Sequence, residues 1–109
     1  CGGMMALAEA IDLPDGRTLP LWGLLPGRVT QQQRLAGLGP QELALPAGVL
    51  RGHTFHYSVF DSPAPIACHA RRPHDGAAGE AVYCQGSIRA SYFHAWFASS
   101  PAATAELFT

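Results

Sequence analysis

Twelve glycines and nine prolines cut this chain into segments too short for long helices, and that punctuation limits its fold more than any other feature. Pro14-Asp15-Gly16 is a strong turn signal. Pro20 interrupts the apolar run from Leu19 to Leu25, a short strand, and Pro26-Gly27 closes it. Gly37, Gly39 and Pro40 break any long helix between Val29 and Leu45, so that stretch reads as short strands around a turn. From Asp61 to Gly79 the chain is dense in Pro, Gly and Ala with a pair of arginines, and reads as a surface loop.

Between these marks the periodicities place the elements. Met4, Leu7, Ala8 and Ile11 recur on one face of a short helix, with Cys1-Gly2-Gly3 at its N-terminal end. Leu50 to Phe60, rich in aromatic and β-branched residues, reads as a strand. Ala81 to Cys84, a turn at Gln85-Gly86-Ser87, and Ile88 to Phe93 form a terminal hairpin. Ser100 is placed to cap a final Ala-rich helix with Pro101 at its first position. The order helix, several strands, terminal hairpin, helix predicts a mixed α/β class.

With 109 residues there is room for one domain, and 48% apolar residues make it globular. Only 14% are charged, which predicts that part of the surface packs against something outside the chain. The absence of an initiator Met is expected of a fragment or a processed product. Net charge is −1, all seven basic residues are Arg, and only Arg71 and Arg72 adjoin. No basic stripe for nucleic acid is present. The apolar runs are far too short for a membrane span, and no signal-peptide pattern appears. Cys1, Cys68 and Cys84 make an odd number without framework spacing, as expected in a reducing cytoplasm.

Cys1 is the candidate nucleophile. A thiol at a helix N-terminus feels the positive end of the dipole, which favours thiolate, and two following glycines let neighbouring backbone crowd the site. The alternative is a buried cysteine in an ordinary turn. A nucleophilic thiol needs a base, and His53, His56, His69, His74 and His94 compete for that role. His69 and His74 belong to the loop. His53 and His56, three apart on one strand, point to opposite faces and cannot share a metal. Cys68-His69 has no second ligand pair at zinc spacing, so no metal site is expected. His94 stands where the last strand ends, either as base or as a capping side chain. Two residues after it stands Trp96, so a carboxylate at that spacing is absent and any catalytic unit is a dyad unless a third group comes from elsewhere.

"CGGMM", "GLLPG", "QQRLAGLG", "LRGHTFHYS" and "SYFHAWFASSPAA", in that order, resemble the C-terminal part of cobyrinic acid a,c-diamide synthases. That part is a class I-like glutamine amidotransferase domain with a flavodoxin-like α/β fold. The resemblance runs over essentially the whole chain. It implies that Cys1 is an internal nucleophile attacking the side-chain amide of glutamine. It implies that His94 makes Cys1 more nucleophilic and that backbone N–H groups hold the oxyanion. His53, His56 and Ser58, in the stretch matching Gly-His-x-Phe-His-Tyr-Ser, would lie near the active-site cleft as substrate-binding residues; a purely structural strand is the alternative. Ammonia would pass to an N-terminal ATP-dependent synthetase domain outside residues 1–109. There Mg-ATP activates the a and c carboxylates of cobyrinic or hydrogenobyrinic acid. With no Lys and no phosphate-binding loop, ATP and Mg2+ are not expected on these residues. A homodimer is compatible with the family, and the isolated residues are expected to be inactive.

Three other readings stand beside this one. A class II glutaminase would use a matured N-terminal Cys1, but its oxyanion support comes from an Asn-Gly motif and the chain has no Asn. A non-catalytic amidotransferase-like binding domain would not need to retain both Cys1 and His94. The sister cobyric acid synthase more often carries a Gly-Tyr-Glu-Ile-His type of sequence where "GHTFH" stands here.

Overall fold

The computed structural model describes all residues 1–109. Its architecture is mixed α/β, with two helices and ten strands in two sheets. Helix α1 spans Gly2–Leu7; strands β1 (Ala10–Asp12), β2 (Thr18–Pro20), β3 (Arg28–Gln31) and β6 (Ser58–Asp61) make a small sheet in the order β2-β1-β3-β6. Strands β4 (Gly37–Leu45), β5 (Gly48–His56), β7 (Ile66–Arg71), β8 (Ala78–Gln85), β9 (Ile88–Ala90) and β10 (His94–Trp96) form the larger one, ordered β10-β5-β4-β7-β8-β9. The one parallel pair is β1 with β3. A 3-10 turn at Phe97–Ser99 leads into α2, Pro101–Leu107.

Helix α1 stops before Ile11, which belongs to β1 instead. The cause is tertiary: the segment after β2 turns back and caps the helix. Trp22 N–H donates to Ala6 O, and Leu24 and Leu25 N–H donate to Leu7 O, at 2.8–3.1 Å. The same bonds remove Leu21 to Leu25 from the strand expected of the apolar run, leaving only Thr18–Pro20 extended and paired. These are the carbonyls a helix end leaves without intrahelical partners.

Three further expectations give way to the sheet. Gly37, Gly39 and Pro40 sit inside β4, where a turn was expected. Strand β7 pairs with β4 only at Glu42 and Arg71, so Pro40 needs no ladder bond on that side. The run from Leu50 to Phe60 is two strands, bent at Tyr57 so that β5 serves the large sheet and β6 the small one. Within the expected loop, Ile66–Arg71 pairs with β8, with Ala70 fully buried and Cys68 half-buried on one face. The hairpin of β8 and β9 forms as expected around Gly86, whose φ of 59° suits the left-handed turn position. It is not terminal: residues 91–93 carry the chain to the far edge of the sheet, and His94 opens β10 rather than closing β9. Ser100 caps α2 through a bond from Ala103 N–H, with Pro101 in the first turn.

Two clusters hold the layers together. Met4, Leu25, Ala64, Ala90 and Tyr92 pack between α1 and the sheets. Leu43, Leu50, Val82 and Ala103 form the second, where α2 covers the inner face of the large sheet. The outer face of the large sheet stays open, with Leu38 67% exposed and Phe55 and Trp96 also exposed.

Candidate active site

Strand β5 alternates sharply. Leu50, Thr54 and His56 point inward, while Arg51, His53 and Phe55 point outward. His53 and His56 therefore lie on opposite faces, as their spacing requires. Strand β10 pairs with β5 so that His94 stands opposite His53, Ala95 opposite Gly52 and Trp96 opposite Arg51. Gly52 makes this approach feasible, since a Cβ there would collide with the His94 carbonyl oxygen and lie 2.7 Å from the Phe93 ring.

Cys1, at the N-cap of α1, meets His94 at the end of β5. Its Sγ is 3.2 Å from His94 Nε2 and 3.6 Å from the Phe55 carbonyl oxygen. Its backbone nitrogen is 2.9 Å from the same Nε2. A backbone nitrogen only donates, so the Nε2 that faces it is the acceptor and the ring proton sits on Nδ1, while the single S–H of Cys1 serves either Nε2 or the Phe55 carbonyl. Cys1 and His94, ninety-three positions apart, are thus in the relation that a thiol nucleophile and its base require. A Cβ at Gly2 or Gly3 would meet nothing within 4 Å. These glycines therefore leave open space beside Cys1 instead of admitting neighbouring backbone.

Partial removal from water is the main cause that holds His94 below the ordinary histidine value of 6.5, and the neighbouring His53 and His56 add to it. His94 then stays neutral, and able to accept a proton, to lower pH than a free imidazole. Its Cε1–H proton resonance followed against pH is expected to titrate below 6.5; a midpoint at or above that value contradicts this electrostatic picture.

His56 and Ser58 are brought near this pair but on the inner side. His56 Nδ1–H donates to Ser58 O at 2.8 Å, its Nε2 lies 2.7 Å from Glu80 Oε1, and its ring stacks on Tyr92 at 3.8 Å. Ser58 Oγ shares a 2.6 Å hydrogen bond with Tyr92 OH and reaches Met5 Sδ of α1. Thr54 Oγ1 donates to Glu80 Oε1 at 2.9 Å. Because Nδ1–H already serves a carbonyl, the contact with Glu80 needs one more proton, carried as an imidazolium–carboxylate pair or on the carboxyl itself. Glu80, Thr54 and Tyr92 were not singled out from sequence. Glu80 is the first charged residue after the stretch read as a loop, and only the inward alternation of Thr54 and His56 hinted that buried polar groups on β5 would need a partner. No three His, Cys, Asp or Glu side chains gather as a metal-binding group.

The sequence profile of the CobB/CobQ-like glutamine amidotransferase domain matches residues 1–102. The chain belongs to this family. A cobyrinate a,c-diamide synthase of Herminiimonas arsenicoxydans is 50% identical over 109 residues, covering 100% of the chain and 25% of that protein. A hydrogenobyrinate a,c-diamide synthase of Pseudomonas aeruginosa is 43% identical over 107 residues, or 98% of the chain. A cobyrinate a,c-diamide synthase of Salmonella typhimurium is 33% identical over 114 residues, or 93% of the chain. The chain spans about a quarter of the length of these curated relatives. No helix is long and apolar enough to cross a membrane.

Proposed function

We propose that Cys1 and His94 form the glutaminase dyad of a cobyrinic or hydrogenobyrinic acid a,c-diamide synthase. In this reading residues 1–109 belong to the glutamine-hydrolysing domain, and a separate ATP-dependent synthetase domain completes the protein. The observation that carries it is the 3.2 Å approach of Cys1 Sγ to His94 Nε2. The names of the relatives, which include both acids, support the substrate class.

The chemistry then follows from the dyad. His94 Nε2 takes the proton of Cys1 Sγ, and the sulfur adds to the side-chain carbonyl carbon of glutamine. Backbone N–H groups in the first turn of α1, which have no intrahelical acceptor, stand beside Cys1 as donors to the oxyanion. When the carbon–nitrogen bond breaks, His94 returns its proton to the leaving nitrogen, which departs as ammonia. Water then attacks the thioester, giving glutamate and the free thiol. The ammonia amidates the a and c carboxylates of the corrin acid outside these residues. The open face carrying Leu38, Phe55 and Trp96 around the dyad supports packing against the remainder of such a protein.

The test is a glutamine analogue whose side-chain amide is replaced by a chloroketone, applied to the complete protein. Mass spectrometry of the digest is expected to find the adduct on Cys1, with glutamine protecting it. Labelling that falls on Cys68 or Cys84, or that glutamine does not slow, overturns the assignment.

A further inference from the structure

Within residues 1–109, no carboxylate stands behind His94 in this dyad. Its Nδ1–H meets no acceptor among them, and the residue two places on, where a class I carboxylate would stand, is Trp96. The ring is exposed on a three-residue edge strand, where rotation about two side-chain torsions would carry Nε2 away from Cys1. One side chain limits that rotation. The His53 ring stacks on His94 with centroids 5.1 Å apart and planes inclined by 23°.

This stack is built by the backbone. His53 and His94 are direct cross-strand partners, and side chains so placed share one face of the sheet. Gly52, which has no room for a Cβ against the His94 carbonyl oxygen and the Phe93 ring, brings β10 close. Both imidazoles are exposed, so the contact is not a by-product of a crowded core. We propose that His53 is the positioning residue of the dyad, holding the His94 ring by stacking in place of the missing carboxylate. The proposal rests on the glutaminase reading above.

Stacking asks only for a flat ring at this position. An aromatic side chain can therefore serve at position 53, whereas an aliphatic one of similar bulk cannot. A substrate-binding role for His53 predicts the opposite pattern, dependent on the ring nitrogens and visible in KM.

The experiment compares His53→Phe and His53→Leu in the complete protein by steady-state glutamine hydrolysis. His53→Leu is expected to lower kcat by about 10- to 100-fold, the order that a misplaced catalytic group costs, with KM little changed. His53→Phe restores most of that loss. A rise in KM at preserved kcat in either variant, equal losses in both, or full turnover in His53→Leu each overturns the proposal. Ammonia-supported amidation, which bypasses the dyad, reads whether the variants are folded. A readout independent of activity is the His94 Cε1–H resonance, shifted upfield by the ring current of its neighbour. It should move downfield in His53→Leu and stay upfield in His53→Phe; no movement in Leu overturns the stack itself. If wild-type protein hydrolyses no glutamine, the glutaminase reading fails. Wild-type hydrolysis with indifferent His53 variants leaves that reading standing and removes only this inference.

Discussion

Cys1→Ser in the complete protein is expected to lower glutamine-supported amidation by more than about 10³-fold, as loss of a nucleophile does elsewhere, while ammonia-supported amidation persists. The substitution changes a single atom in a half-buried side chain, so fold and packing are unaffected. What changes is the nucleophile. A thiol gives up its proton to a neighbouring imidazole far more readily than a hydroxyl does, and sulfur is intrinsically the stronger nucleophile. The geometry sharpens the loss. The 3.2 Å contact to His94 Nε2 and the 3.6 Å contact to Phe55 O are made by sulfur, and the shorter carbon–oxygen bond of Ser draws the nucleophilic atom back from both. Measured rates with each nitrogen source decide the matter. Glutamine-supported turnover that survives in Cys1→Ser removes Cys1 from the mechanism, and loss of both activities together means that the residue is structural.

The second large effect is on stability, at Glu80. Its carboxylate accepts from Thr54 Oγ1 and pairs with His56 Nε2, with His56 and Glu80 side chains only 8% and 17% exposed. Glu80→Ala removes the acceptor from two buried donors at once. Breaking such a pair from one side costs about 3–5 kcal/mol. The Glu80 side chain keeps some contact with water, so the lower end of that range applies, about 3 kcal/mol, or roughly 10–20 °C in melting temperature for a domain of this size. Glu80→Gln keeps an oxygen acceptor for both partners and should lose less than half as much. Thermal unfolding of the two variants provides the comparison. Equal losses would mean that packing rather than the polar pair matters at this site. Activity should follow stability in Glu80→Ala, because His56 anchors the end of β5, and the carbonyl before it faces Cys1 Sγ.

Gly37 belongs to the same arrangement. A Cβ there would collide with the His56 imidazole, and the Glu80 carboxylate oxygen lies 3.0 Å from that position. In the sequence Gly37 looked like a turn residue. In the structure it lies in β4 opposite His56, and its lack of a side chain makes room for the buried contact between His56 and Glu80. The residue type was legible, but its reason was not, because the partner that needs the space lies nineteen positions away.

Local chemistry determined a good deal from sequence alone. Ser100-Pro101 specified the start of α2, because a hydroxyl cap and a proline in the first turn act within one turn of chain. Gly86 specified the β8–β9 turn, because only its own backbone conformation is at stake. The alternation along β5 separated His53 from His56, since strand geometry fixes which way successive side chains point. Cys1 and His94 stood out as nucleophile and base by residue type and by family resemblance.

Tertiary structure decided where long-range pairing outbid local preference. Leu21 to Leu25 gave up strand structure to satisfy the carbonyls at the end of α1. Ile66–Arg71, flanked by Pro65 and Pro73, became a strand because β8 offered its edge. The proposed dyad belongs to this class as well. Cys1 and His94 meet only because the chain crosses from β9 at one edge of the large sheet to β10 at the other, and no local pattern encodes that crossing. The stack of His53 on His94 and the burial of Glu80 follow from the same registers. The sequence names the candidate reacting atoms, whereas the few ångströms between them depend on hydrogen bonds closed across ninety residues of chain, whose free energy exists only once the sheet has formed.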